Sequence, residues 1–194
     1  MDLTLVPART AVVVIDLQRG IVAGSNGASD VVAHAAALAD ALRAAGGTVV
    51  LVHVTPSDDG RDALHPLTDT PPFQPRPLPE NWAEIVPELG PRPGDLVITK
   101  RQWGAFYGTE LDLQLRRRGI DTILLAGIST NAGVESTARD AYERGYQQVF
   151  VEDAMAGRSP EEHDHTVRSL FPRIGRVRST AEVLTALEAA AKRG

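Results

Sequence analysis

Short apolar runs recur along the chain, and they constrain its fold more than any other feature. Their residues are apolar almost throughout, and they cover residues 10–16, 48–54, 95–100, 121–127 and 147–153, with a weaker run at 174–179. Continuous runs of this kind are typical of strands buried on both faces of a parallel sheet. Because segments of helical spacing separate them, we expect an α/β protein, a three-layer α/β/α sandwich around a six-stranded parallel sheet.

The segments with helical spacing cover residues 30–45, 109–118, 131–144, 160–171 and 180–192. Thr109 and Thr180 are predicted to be the N-caps of the second and the last of these helices, since hydroxyl side chains favour that position. Residues 55–93 are rich in proline and charge instead, which predicts a long loop that acts as a lid or an oligomer contact. The strand pattern resumes after this loop, so we expect one domain over residues 1–194.

Composition narrows the chemistry that the chain can perform. Its 194 residues carry a net charge of −5 and no basic face is apparent, so nucleic acid is not an expected partner. No apolar stretch reaches about 18 residues and no signal-peptide pattern is present, so we expect no membrane span and, by default, a cytoplasmic protein. The sequence contains no cysteine, which excludes disulfides, thiolate metal ligands and a cysteine nucleophile.

Three polar features are predicted to meet at one edge of the sheet. Asp16 ends the first run, Lys100 ends the third, and the turn at 127–133 follows the fourth. The carboxyl ends of parallel strands share one edge, which is where such sheets bind ligands. Asp16 is then either a turn cap or a proton-transfer group in a partly dry pocket. Lys100 is either a surface lysine or the partner of Asp16 and an anchor for an anion.

The turn at 127–133, GISTNAG, has Gly133 where a nucleophilic side chain would be well placed, so it offers backbone N–H groups instead. Small residues are also common in tight turns between a strand and a helix, and Asn131 is a candidate helix cap. The turn lacks the Gly-Lys-Ser/Thr ending of a phosphate-binding loop. No GxGxxG follows the first run, which excludes the dinucleotide-binding fingerprint.

Aromatic residues cluster directly after Lys100. Trp103, Phe106 and Tyr107 lie within five positions of one another. They either pack in the core or at a subunit contact, or they form an aromatic wall over a planar or cyclic substrate. Gln18 lies two residues beyond Asp16 and is expected to point the same way. Candidate carboxylate binders, among which the sequence does not choose, are Arg76, Arg92 and Arg101.

The five histidines show no shared metal-ligand spacing, so we expect no metal site. His53, near the end of the second run, is either a core or edge histidine or a catalytic one. His163 and His165 belong to the segment EEHDH and are predicted to lie on a solvated helix face.

Several blocks of the sequence, in their order and spacing, resemble those of one enzyme family. The blocks are TAVVVIDLQ with Asp16, VITKRQWGAFYGTELDLQLRRRGI with Lys100, LLAGISTNAGVESTARDAYERGY and VFVEDAMAG, and together they span residues 10–157. They resemble the isochorismatase-like hydrolases of the cysteine hydrolase superfamily, which include nicotinamidases and N-carbamoyl amidohydrolases. The resemblance implies the Rossmann-like fold of that family, a six-stranded parallel sheet between helices, and a homodimer or homotetramer.

The resemblance also assigns roles to the polar residues at the sheet edge. Family amidases carry a triad of Asp, Lys and Cys; Asp16 and Lys100 match the first two members, and Gly133 takes the place of the cysteine. Thiolate attack on an amide is therefore not available. Lys100 is expected to bind the substrate carboxylate and to tune Asp16, and the N–H groups of Ala132 and Gly133 to hold a developing negative charge or a water. The nearby hydroxyls, none at the cysteine position, belong to Ser129, Thr130, Ser136 and Thr137.

The isochorismatases of the family are similar in lacking this thiol. In their proposed mechanism an aspartic acid protonates the vinyl ether carbon of isochorismate, and water adds to the resulting oxocarbenium ion. We therefore expect a cofactor-free hydrolase of isochorismate or a related small carboxylate. Two alternatives stay open: hydrolysis of another small substrate by water activated between Asp16 and Lys100, and binding of a small carboxylate or an assembly partner without turnover. Whether burial or Lys100 sets the pKa of Asp16 is also open.

A set of residues around the polar features at the sheet edge is expected to contact the substrate. They are Gln18, Trp103, Phe106, Tyr107, Ile128, Ser129, Thr130, Asn131 and Ala132. The family typically has a cis peptide bond before the turn, which here would join Ile128 to Ser129. Nicotinamidases add an Asp-x-His…His metal set that the stretch HVTPSDDGRDALHP lacks, which argues against a metal and against nicotinamidase activity.

Overall fold

A parallel sheet forms the centre of the structure, a computed structural model that describes residues 3–25, 27–70 and 78–192. Its strands are β1 (Thr10–Ile15), β2 (Thr48–Val54), β3 (Leu96–Lys100), β4 (Thr122–Ile128), β5 (Gln147–Ala156) and β6 (Arg176–Arg178). All neighbouring strands pair in parallel, in the order β3-β2-β1-β4-β5-β6. The six-stranded parallel sheet predicted from the apolar runs is therefore confirmed.

Helices cover both faces of this sheet. They are α1 (Arg19–Val22), α2 (Ala28–Ala44), α3 (Leu111–Arg117), α4 (Glu135–Glu143), α5 (Pro160–His165), α6 (Phe171–Ile174) and α7 (Thr180–Ala191). Helices α2 and α7 contribute to the apolar core on one face, whereas α3, α4 and α6 contribute to the core on the other. The three-layer α/β/α sandwich is therefore also confirmed.

Burial on both faces explains the run of apolar residues in β1. All six residues of β1 are buried. Val12 and Val14 pack into the core under α2 and α7, whereas Ala11, Val13 and Ile15 pack into the opposite core. Each buried Val or Ile side chain contributes about 1.5–3 kcal/mol relative to an exposed one. A polar residue within β1 would therefore face an apolar layer on either side.

Two predicted helix caps are displaced by one residue. The N-cap of α7 is Ser179, which forms a capping box with Glu182. Thr180 is the first residue of α7, and its N–H and hydroxyl donate to Oδ1 of Asp153 at 2.7 and 2.8 Å. Residue 110 is likewise the N-cap of α3, while the hydroxyl oxygen of Thr109 accepts the N–H of residue 111 at 3.1 Å.

The two predicted helices at 131–144 and 160–171 each contain a π-helical turn. In the first, the π-helical turn Thr130–Val134 precedes α4, and residue 129 is its N-cap, so Asn131 does not cap this helix. In the second, Thr166–Leu170 is π-helical and separates α5 from α6. Such turns occur frequently at functional sites.

The long loop after β2 is attached to the body of the molecule at its far end. Trp82, Val86 and Leu89 are buried, and residue 85 forms an antiparallel bridge with Gln18. Residues 64–70, in contrast, are exposed. Among the residues that the structure describes, no helix combines the length and the apolar character needed to cross a membrane.

Candidate active site

Asp16 directly follows β1 and turns the chain out of the sheet. Its φ of 54° lies in the left-handed region, which Asp tolerates better than most residues. Its N–H donates to the carbonyl of Val52 on the neighbouring strand at 2.9 Å. The backbone thereby fixes a buried carboxyl group at the carboxyl edge of the sheet.

Lys100, at the end of β3, reaches across β2 to this carboxyl group. The side chain is only 1% exposed, and Nζ lies 2.7 Å from Oδ2 of Asp16. Nζ also donates to the carbonyl of Gln102 at 3.1 Å and to that of Trp103 at 2.7 Å. An ammonium group has three N–H donors, and all three are engaged. Contrary to the expectation from the sequence, Lys100 therefore has no N–H left for a substrate carboxylate, and it fixes Asp16 instead.

The two carboxyl oxygens of Asp16 have different surroundings. Oδ2 accepts a hydrogen bond from Lys100, whereas Oδ1 is buried and has no hydrogen-bond partner among the described residues. Burial raises the pKa of Asp16 from 3.8 to about 6, although the charge and the hydrogen bond of Lys100 lower it. Desolvation thus outweighs the ammonium group, which answers the question that the sequence left open. A carboxyl group with this pKa can hold a proton close to neutral pH.

Gly133 lies against this ion pair. A Cβ atom on Gly133 would be 3.0 Å from Cγ2 of Ile15, 3.2 Å from Oδ2 of Asp16 and 3.4 Å from Nζ of Lys100. A side chain at this position would therefore begin in contact with both charged groups. This is the position from which a nucleophile could act together with the acid and the lysine, and glycine supplies no reactive atom there.

Two of the hydroxyls near Gly133 already have partners. Thr137 donates to the carbonyl of Gly133 at 2.7 Å and accepts the N–H of Ala105 at 3.1 Å. The hydroxyl oxygen of Thr130 lies 2.8 Å from Nδ1 of His163. Both hydroxyls therefore hold the turn together, and neither replaces the missing nucleophile.

Some backbone N–H groups of the turn also have hydrogen-bond partners already. The carbonyl of Ser129 accepts the N–H groups of Ala132 at 3.1 Å and of Val134 at 3.2 Å. The N–H of Ala132 is therefore engaged within the turn and is not the free donor that the sequence suggested. The peptide bond between Ile128 and Ser129 is cis.

Gln18 is a structural residue rather than part of the pocket wall. Its Nε2 donates to the carbonyls of Val54 at 3.0 Å and Trp82 at 3.3 Å, and its Oε1 accepts the N–H of Val54 at 2.8 Å. The buried amide therefore joins the end of β1 to the end of β2 and to the long loop. This network uses both ends of the amide, so the geometry does not support the predicted substrate contact of Gln18.

The three aromatic residues after Lys100 separate into two groups. Phe106 is buried in the core, with its ring centroid 5.7 Å from that of Tyr146. Trp103 and Tyr107 are 65% and 75% exposed. Ile128 is buried in the core on the opposite face of the sheet. Core packing, which the sequence left open, thus accounts for Phe106, whereas Trp103 and Tyr107 stay available for contact.

Helix α5 contacts the turn through residues that sequence reasoning missed. Nδ2 of Asn131 donates to Oε2 of Glu162 at 3.1 Å, beside the contact between Thr130 and His163. The predicted solvated position is wrong for His163, which is half-buried, whereas His165 is exposed. The sequence predicts the helix but carries no signal for the turn against which it packs.

The remaining charged candidates have partners away from the ion pair. Arg92 pairs with Asp40 at 2.9 Å, and Arg101 pairs with Asp62 at 2.8 Å. Arg76 lies outside the described residues. Within the described part of the chain, no group of three or more His, Asp and Glu side chains is placed to hold a metal ion.

The fold and the site define an α/β protein with a buried carboxyl–ammonium pair beside a turn that carries glycine. The model of the isochorismatase domain matches residues 10–182. The isochorismatase family protein YwoC of Bacillus subtilis (strain 168) is 55% identical over 177 residues, with 91% of this chain and 93% of YwoC covered. The chain therefore belongs to the isochorismatase family of hydrolases, within the cysteine hydrolase superfamily.

Two further relatives extend this comparison. A solved structure of an isochorismatase family protein from Burkholderia thailandensis is similar with a TM-score of 0.89 and 48% identity, covering 95% of this chain and 98% of that chain. RutB of Rhizobium rhizogenes (strain K84 / ATCC BAA-868), a ureidoacrylate amidohydrolase, is 33% identical over 184 residues, with 82% of this chain and 75% of RutB covered.

Proposed function

We propose that this protein is a cofactor-independent hydrolase that cleaves the vinyl ether of isochorismate or a related small carboxylate. Asp16 donates its proton to the terminal vinyl carbon, which leaves an oxocarbenium ion at the carbon that bears the ether oxygen. Water adds to that carbon and returns a proton to Asp16. The resulting hemiketal then breaks its C–O bond, which gives pyruvate and the ring alcohol. No covalent enzyme intermediate forms.

The surroundings of Asp16 carry this proposal. Oδ1 is buried and has no hydrogen-bond partner among the described residues, and burial raises the pKa of this carboxyl group to about 6. A general acid is most effective when its pKa is near the working pH. Protonation of carbon needs such an acid, because the vinyl carbon accepts a proton only from a donor that is held against it.

Lys100 and Gly133 support the same chemistry in different ways. Lys100 holds Oδ2 at 2.7 Å, which orients the carboxyl group and keeps its conjugate base paired after the proton has left. Gly133 places no side chain against the pair, where a Cβ atom would lie 3.2 Å from Oδ2 of Asp16. Both features suit a reaction in which the enzyme moves a proton and water is the nucleophile.

Amide hydrolysis fits the residues of this site less well, although the relative RutB is an amidohydrolase. Water is a poorer nucleophile toward an amide than a thiolate is, and the chain has no cysteine. Gly133, where a side chain would contact both Asp16 and Lys100, offers no hydroxyl either. Ureidoacrylate is therefore the comparison substrate that separates the two activities.

The test compares pyruvate release from isochorismate by the wild type, by Asp16→Asn and by Asp30→Asn. Asp30 is an exposed residue of α2 and serves as the matched control. Loss of a general acid typically reduces the rate by about 10²–10⁴-fold, so we expect a loss of that size for Asp16→Asn and none for Asp30→Asn. Equal rates for the wild type and Asp16→Asn would remove Asp16 from the role. Turnover of ureidoacrylate but not of isochorismate would replace the proposed reaction with amide hydrolysis.

A further inference from the structure

Three side-chain contacts join the segment 160–170 to the segment that carries Gly133. They connect the turn and α4 on one side with α5 and the π-helical turn after it on the other. The pairs are Thr130 with His163 at 2.8 Å, Asn131 with Glu162 at 3.1 Å and Glu135 with Thr166 at 3.1 Å. We call them the clamp. The clamp therefore holds the chain on both sides of Gly133, at residues 130 and 131 before it and at residue 135 after it.

The sequence fixes the clamp from the side of α5. Ser159 is the N-cap of this helix and accepts the N–H of Glu162 at 3.3 Å. Gly157 allows the chain to pass close to the helix, since a Cβ atom there would be 3.0 Å from the backbone nitrogen of His163. His163 is thereby held at a defined distance from the turn.

Thr130 is the buried end of the clamp. It is fully buried, and among the described residues its hydroxyl is hydrogen-bonded to His163. Thr130 lies next to Ser129, whose carbonyl closes the turn, and three residues before Gly133. A change in how Thr130 is held would therefore move the backbone that faces Asp16.

We propose that His163 is a positioning residue that, in its neutral form, accepts the hydroxyl proton of Thr130 and so holds the turn against Asp16. The inference rests on the proposed function for its consequence in catalysis. Its structural part, a coupling between the protonation of His163 and the backbone of Gly133, can be measured without substrate.

Protonation of His163 would reverse this hydrogen bond. Nδ1 would then carry a proton and donate, and the buried hydroxyl of Thr130 would lose its acceptor. Burial lowers the pKa of His163, while the charges of Asp164 and Glu152 raise it. The other charged or titratable side chains on the elements around His163 are Glu161, Glu162 and His165 on α5, Asp153 on β5 and Arg168 on the following π-helical turn. Burial is the larger effect, so the pKa of His163 lies below its usual value. The neutral form therefore predominates at neutral pH, and we expect the clamp to loosen in acid.

The test uses three variants of the full chain. His163→Phe removes the acceptor, His163→Asn keeps a side-chain oxygen near the place of Nδ1, and His165→Asn is the matched control on the exposed face of the same helix. A displacement of about 1 Å at a reacting group can cost about 100-fold in rate, so we expect His163→Phe to lower kcat by 10- to 100-fold. His163→Asn should recover most of this loss. His165→Asn should equal the wild type.

Two pH measurements separate positioning from a merely structural role. The wild type should lose kcat/KM below the pKa of His163, and His163→Asn should lack this acid limb because an amide does not titrate in this range. Because Gly133 also adjoins Asp16, its amide ¹⁵N shift is followed in the Asp16→Asn background, where it should track the titration of the His163 ring. The shift should not change with pH in the double variant Asp16→Asn/His163→Asn.

The amide measurement distinguishes the two proposals. If isochorismate is not turned over but the Gly133 amide still titrates with His163, the positioning inference stands and the proposed substrate is wrong. The inference is overturned if the amide ¹⁵N shift of Gly133 does not change as His163 titrates. It is also overturned if kcat/KM of His163→Asn still falls at acid pH. A loss in His165→Asn equal to that in His163→Phe would also overturn it.

Discussion

Nζ of Lys100 lies 2.7 Å from Oδ2 of Asp16, yet the pKa of this aspartic acid is about 6 rather than 3.8. An adjacent ammonium group alone would lower the pKa of a carboxyl group. Burial reverses the direction of the pKa shift, because the charged carboxylate loses more from desolvation than it gains from its partner. The pair thus combines an oriented carboxyl group with a readily available proton, and this combination underlies the predictions that follow.

The first prediction concerns the pH dependence of catalysis. If the protonated form of Asp16 is the active one, kcat/KM for isochorismate should fall above a pH of about 6. The fall should approach about tenfold per pH unit, since kcat/KM reports the pKa values of the free enzyme. Steady-state rates between pH 5 and 9 measure this limb. A rate that rises with pH between 7 and 9, above the range in which His163 titrates, would show that Asp16 works as a base.

The second prediction concerns Lys100. Lys100→Met removes the charge and the hydrogen bond that lower the pKa of Asp16, so this pKa should rise above its wild-type value of about 6. A ¹³C NMR titration of the Asp16 carboxyl carbon measures it. Arg101→Met is the matched control, because Arg101 pairs with Asp62 in an exposed position. An unchanged or lower pKa in Lys100→Met would mean that the ion pair does not tune Asp16.

The third prediction concerns the space beside the pair. The new Cβ atom of Gly133→Ala would lie 3.2 Å from Oδ2 of Asp16, whereas that of Gly90→Ala would lie 3.1 Å from the carbonyl oxygen of Pro87 in the long loop. Both contacts are tight, so we expect similar losses of stability, each within about 1–3 kcal/mol by urea unfolding. Only Gly133→Ala should lower kcat/KM, by at least about tenfold. Equal activities of the two variants would show that substrate does not use this space.

The fourth prediction concerns the strand that leads into the turn. Gly127 has a φ of +123°, and a Cβ atom there would lie 2.0 Å from the carbonyl oxygen of Ile15. Gly127→Ala should therefore lower the free energy of unfolding by more than about 4 kcal/mol, which is exceptionally large for a single substitution. Gly119 also has a positive φ, of +66°, but a Cβ atom there would meet nothing within 4 Å. Gly119→Ala should cost about 1–2 kcal/mol. Similar unfolding midpoints for the two variants would contradict this account.

The sequence predicts the fold well because burial on both faces requires runs of apolar residues in the central strands. The same pattern places Asp16 and Lys100 at strand ends, and right-handed parallel crossovers bring such ends to one edge. Their ion pair at 2.7 Å is thus a consequence of the strand pattern. The sequence could not show that the remaining N–H donors of Lys100 bind the carbonyls of residues 102 and 103, since backbone acceptors carry no residue signature.

The predictions that the structure corrects concern side chains whose partners are remote in the chain. Gln18 faces the end of β2 and the long loop, and Phe106 packs with Tyr146. His163 contacts Thr130 across 33 positions of sequence. Helical spacing shows which residues share a face, but not which element that face meets. The one-residue shift at the cap of α7 has a different cause, because the adjacent hydroxyl residues Ser179 and Thr180 carry the same capping signal.

Turnover of isochorismate in D₂O, with mass analysis of the pyruvate, tests directly whether Asp16 is the proton donor. Transfer of the Asp16 proton to the vinyl carbon predicts one deuterium in the methyl group of the pyruvate formed by the wild type. It also predicts that Asp16→Asn releases labelled pyruvate at least about 100-fold more slowly. Pyruvate without deuterium in its methyl group, or release by Asp16→Asn at the wild-type rate, would contradict the role of Asp16 as the proton donor.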